Sequence, residues 1–149
     1  MRKIAEEVEA IVGKYASRIE QLSEEAFSKK PSPTVWSKKE ILGHLVDSAQ
    51  NNIQRFVRGQ YEDSPRIVYS QNEWVHLQRY QDYSKKDLLA LWVALNRHLC
   101  WILSGMNPGN ETMQCDTGKS GIELHTLQYF AEDYKKHLLH HLEQLEQRN

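Results

Sequence analysis

Residues 37–58 read SKKEILGHLVDSAQNNIQRFVR. Ile41, Leu42, Leu45, Val46, Ala49, Ile53, Phe56 and Val57 recur at three- and four-residue spacing, the period of a helix with one apolar face. Ser37 is placed to cap its start by accepting from an otherwise orphaned backbone N–H. Glu40, three residues on, completes a capping box. The segment is therefore a helix of about five turns, too long and too periodic for a strand.

The same pattern extends in both directions. A first helix is expected over Lys3–Phe27, with Ile4, Val8, Ile11, Val12, Tyr15, Ile19 and Leu22 on one stripe. A third starts at Ser84, capped with Asp87 three residues later, and ends near Ser104 before Gly105. A fourth starts near Ser120 or Gly121 and runs almost to the C-terminus, and a short helical piece at about Gln71–Tyr80 bridges the second and third. Breaks fall at Pro31 and Pro33, at Gly59–Pro65 and at Gly105–Gly121. The one strand candidate, Arg66–Ser70, is short. These elements predict an all-α four-helix bundle with a short extra helix between helices 2 and 3, built as a single domain over residues 1–149.

Composition narrows the function classes. The 149 residues include 19 basic and 20 acidic ones, for a net charge of −1, so no global positive field gathers nucleic acid. Lys38, Lys39, Arg55 and Arg58 scatter rather than form a basic stripe. No apolar run approaches the ~20 residues that cross a bilayer, and Glu6, Glu7 and Glu9 interrupt any leader-like start. Cys100 and Cys115 form no CxxC, which fits a reduced, cytoplasmic protein. Phosphate-binding loops, dinucleotide fingerprints, HExxH and GxSxG are all missing.

Histidine is the compositional oddity, with seven in the chain. Three lie in DYKKHLLHHLEQL, residues 133–145. At about 100° per residue, His137 and His141 fall ~40° apart and can reach one ion. The apolar stripe of that helix lies ~40° from His141, ~80° from His137 and ~140° from His140, so His140 faces water and the outer two make the better pair. A third ligand would come from another helix; His44, His76, His98 and His125 are available. His44 lies ~140° from the apolar stripe of its own helix, beside Ser48, Asn51 and Arg55, and periodicity alone puts it on the surface.

Trp36-Ser37 through Gly43-His44-Leu45-Val46-Asp47-Ser48 resembles the second-helix signature of the DinB-like superfamily. Asp133-Tyr134, His137 and His140-His141-Leu142 resemble its fourth-helix signature, and the segments 72–75 and 95–99 are similar to one branch of it. The resemblance spans about Trp36 to Leu145. It implies an up-down-down-up bundle with a divalent-metal site in an open bowl. The ligands it implies are one histidine on the second helix and a His-x3-His pair on the fourth, here His44, His137 and His141. Three imidazoles leave an open coordination position.

Zinc, nickel or iron is the ion this implies. Asp47, three residues after His44, and Asp133, four before His137, are candidates to orient an imidazole, though each also reads as an exposed helix carboxylate. His98 is a further pocket candidate. Trp36, Trp74, Trp92 and Trp101 read as core or as pocket wall, and Cys115 as a loop residue. The catalytic residues stay unassigned.

Two classes of function remain. The first, which the resemblance implies, is a metal-dependent enzyme acting on a small-molecule substrate, either a hydrolase or a transferase that activates a low-molecular-weight thiol such as bacillithiol or mycothiol. The second is a non-catalytic, stress-linked bundle with a structural or incidental metal and a homodimer interface. A homodimer, with neither nucleic acid nor membrane as partner, is expected in both. In the blandest case the histidines are ordinary solvated helix residues.

Overall fold

A computed structural model describes residues 1–148. The chain forms α1 (Arg2–Glu20), α2 (Glu24–Ser28), α3 (Lys38–Arg58), α4 (Gln71–Leu77), α5 (Lys85–Ser104), β1 (Gln114–Asp116), β2 (Leu124–Thr126) and α6 (Leu127–Gln147). The four long helices, α1, α3, α5 and α6, make the bundle: α1 and α3 each pack against both α5 and α6.

Side-chain contacts fix the helix directions. Lys135 in the first half of α6 reaches Glu7 in the first half of α1 at 2.7 Å, and Arg18 pairs with Glu146 at their far ends, so the two run parallel. Lys85 Nζ donates to the Glu20 carbonyl at 2.9 Å, which sets α5 antiparallel to α1. Lys39 Nζ donates to the Tyr83 carbonyl at 2.8 Å, which brings the starts of α3 and α5 together. The bundle is up-down-down-up.

The capping box of α3 is present: Ser37 Oγ accepts from the Glu40 N–H at 3.1 Å, and Glu40 Oε2 accepts from the Ser37 N–H at 2.8 Å. Ser84 Oγ caps α5 by accepting from the Asp87 N–H at 3.1 Å, and α4 with a 3-10 turn at Tyr80–Asp82 supplies the expected short piece. Two boundaries differ from expectation. The first helix does not run unbroken to Phe27: Ser23 Oγ accepts from the Ala26 N–H and starts a separate helix, α2. The last helix begins at Leu127 rather than near Ser120, because residues 114–116 and 124–126 pair as an antiparallel hairpin. Asp116 Oδ1 gathers the N–H groups of Gly118 and Glu123 at 2.8 and 2.9 Å and so closes the hairpin turn. Cys115 is therefore a fully buried strand residue, not a loop residue. The candidate strand at Arg66–Ser70 forms only an isolated bridge to Asp116.

The core is one connected apolar cluster drawn from all four long helices. Trp92 is completely buried in it, whereas Trp101 is 78% exposed and neither core nor pocket wall. Among the described residues, no helix is long and apolar enough to cross a membrane.

Candidate metal centre

Helix α3 is buried on every side from Ile41 to Ala49. Its apolar residues face the core. Its polar residues are covered as well, by Trp36 before the helix, by the segment from Tyr69 to Tyr80 and by α6. His44 is thus fully buried, which corrects the surface position that periodicity indicates. Hydrophobic period reports which face is apolar, not what packs on the other one.

The burial of His44 brings three imidazoles together. His44 Nε2 stands 3.1 Å from His137 Nε2, and the ring of His141 lies 4.8 Å from that of His44 and 4.5 Å from that of His137. One ligand atom from each of the three lies within 4.8 Å of the others. Trp36 packs against His44 with ring centroids 5.3 Å apart. His140 points to solvent as expected, and His76 and His98 are exposed away from the cluster. His125 stacks on Tyr129 at 4.1 Å and takes no part.

The donor set suits a divalent ion. Two imidazole nitrogens on a tetrahedral zinc stand about 3.3 Å apart, close to the 3.1 Å between His44 and His137. Burial pushes His44 down to about 3 and His137 to about 4, with neighbouring histidines adding to both shifts. His141 is also lowered by burial, partly offset by its bond to Gln144. All three are neutral at pH 7 and offer lone pairs. Gln144 Oε1 can only accept, so the His141 Nδ1–H donates to it at 3.0 Å and leaves Nε2 free. Ser48 Oγ lies 3.5 Å from His137 Nδ1 and holds that ring the same way. His44 Nδ1 is buried without a partner.

Neither expected carboxylate orients a histidine. Asp133 is exposed, the blander of its two readings. Asp47 is fully buried rather than exposed, and turns away: its Oδ1 accepts from Tyr80 Oη and Gln78 Nε2, each at 2.5 Å, while Oδ2 has no partner. Burial raises its carboxyl to about 6, against the lowering effect of those two bonds. Ser48 and Gln144, which do contact the imidazoles, carry only a weak sequence signal, four residues after His44 and three after His141.

The DinB superfamily profile matches residues 9–145. The chain belongs to the DinB superfamily. A solved structure of YfiT from Bacillus subtilis, described as a probable metal-dependent hydrolase with an unusual four-helix bundle topology, superposes with a TM-score of 0.86 at 21% identity. The match covers 97% of this chain and 82% of YfiT. No curated protein matches the sequence. At that identity the superposition shows that the DinB-family chain shares the YfiT fold.

Proposed function

We propose that this DinB-superfamily protein is a metal-dependent enzyme whose ligands are His44, His137 and His141, and that it hydrolyses a small-molecule substrate. The observation that carries the reading is the number of ligands. Among the described residues, three neutral histidines converge and no carboxylate or thiol joins them. A structural zinc site fills four positions with protein groups, whereas a catalytic one leaves a position for water or substrate. The description of YfiT as a probable metal-dependent hydrolase agrees with this reading.

A bound zinc, nickel or iron ion would supply Lewis acidity, lowering the pKa of a water or of a thiol in the open position. The chain's own residues prepare for that. Ser48 and Gln144 hold the Nδ1 sides of His137 and His141, which keeps their Nε2 lone pairs turned inward. Trp36 shields the His44 ring.

The test is to load the protein with each metal and screen esters, amides and thiol-plus-electrophile pairs, with His141→Ala as control. Metal-dependent turnover of an ester or amide, abolished in the variant with helicity kept, is the expected result. Turnover only with thiols would replace hydrolysis by thiol transfer. A variant that loses its fold together with its metal would indicate a structural site.

A further inference from the structure

Below the histidines, between α3, α6 and the β-hairpin, lies a cavity of about 290 Å³ lined by Arg55, Tyr69, Lys119, Glu123, Phe130 and Asp133, among others. Arg55 is its unusual member. The guanidinium has five N–H donors. Two bonds engage it, to Asn52 Oδ1 and to the Ile67 carbonyl, both at 3.3 Å, which leaves three donors without an acceptor. Its Nε is buried and has no partner. Arg18, Arg58, Arg66 and Arg79 each pair with a carboxylate, but among the described residues no carboxylate lies within ion-pair distance of Arg55.

A half-buried cation with no ion pair costs free energy unless something else supplies a counter-charge, and Asp133 acts on Arg55 only from beyond ion-pair distance. The Arg55 Cζ lies over the Phe130 ring, 5.0 Å from its centroid, in a cation–π contact at the cavity wall. Lys119 also lines the cavity, and no ion pair engages it among the described residues. The near wall adjoins the histidines: Tyr69 lies beside Ser48, which touches His137, and Asp133 is one turn before His137 on α6. From Ser48 to Arg55 is two turns of α3, about 10 Å along its axis.

We propose that this cavity binds the anionic end of the substrate, a carboxylate or phosphate held by the Arg55 guanidinium, while the reacting end reaches the histidine centre beside it. The assignment rests on the reading of that centre as catalytic. Asp133 and Glu123 face the same cavity, Glu123 with its Oε1 3.1 Å from His125 Nε2, and they make singly charged anions the better ligands.

The experiment titrates metal-free protein with butyrate, inorganic phosphate and, as the neutral control, butyramide, following backbone amide resonances by NMR. Saturable shifts confined to Tyr69, residues 119–125 and residues 130–133 are expected with an anion and not with butyramide. The tighter of the two anions identifies the headgroup chemistry. Arg55→Met should weaken binding about tenfold or more. Asp133→Asn, at an exposed position that leaves folding intact, should tighten it several-fold. Shifts equal for butyramide, or no response to either anion, would overturn the proposal, as would affinities unchanged in both variants. Because no metal is present, such a failure is distinct from a failure of the histidines to bind metal.

Discussion

The two faces of α3 are equally buried and differently held. On one side Ile41, Leu42, Leu45, Val46 and Ala49 are sealed in the apolar core. On the other His44, Asp47, Ser48, Asn51 and Asn52 are sealed too, although nothing hydrophobic favours removing them from water. Asn51 and Asn52 bond back to the carbonyls of Asp47 and Ser48 at 2.9 Å and so satisfy themselves within the helix. His44 Nδ1 and Asp47 Oδ2 stay unsatisfied. A fold tolerates such groups where they serve a purpose, because each costs about 1–3 kcal/mol. The apolar face makes the bundle stable, and the polar face spends some of that stability on a site.

Substitutions on each face sharpen this contrast. Leu45→Ala on the apolar face should cost about 2–5 kcal/mol in denaturant unfolding, and the folded fraction should still bind metal. Asp47→Asn on the polar face should act in the opposite direction. A carboxyl raised to about 6 from an ordinary 3.8 contributes stability that is full below pH 3.8 and lost as the pH rises through 6. The variant should therefore be more stable than wild type above pH 6, by up to about 3 kcal/mol, and lose that advantage below pH 4. Unfolding curves of metal-free protein across this range would show it, and a destabilised variant at pH 8 would mean that the Asp47 charge is compensated.

Ser48→Ala should weaken metal binding about 10- to 100-fold with little change in helicity, as measured by competition with a chromophoric chelator. Unchanged affinity would show that Ser48 does not orient His137. The smallest effect concerns protons. Since the imidazoles are already neutral at pH 7, metal uptake at that pH should release almost no protons from them. Calorimetry in buffers of different ionisation enthalpy would detect release. The same low pKa values mean that metal-free protein loses stability as pH falls from 6.5 toward 4 and 3, the reverse of the Asp47 trend.

How much of this was legible follows from what periodicity measures. The capping box at Ser37, the serine cap at Ser84, the four long apolar stripes and the His137–His141 pair are local patterns, and the structure contains all of them. The placement of His44 was not local. It is covered by Trp36 and α6, while Tyr80 closes on the neighbouring Gly43, where a Cβ would overlap its ring. The resemblance to the DinB-like superfamily paired His44 with His137 and His141, and the geometry of the folded chain shows how a residue on a polar stripe is brought inside. The β-hairpin escaped notice because three-residue strands leave no alternation to read, and α2 because a serine cap inside a continuous apolar stripe is easily absorbed into one longer helix.

The most direct test of the central claim is metal stoichiometry. Protein purified without chelator, alongside His44→Ala, His137→Ala and His141→Ala, would be assayed for zinc, nickel, iron and manganese and then titrated to saturation. The account predicts about one equivalent per chain in the wild type and a large loss of affinity in all three variants, His44→Ala included. A wild-type chain that takes up no metal would contradict it, as would a His44→Ala variant that binds as tightly as the wild type.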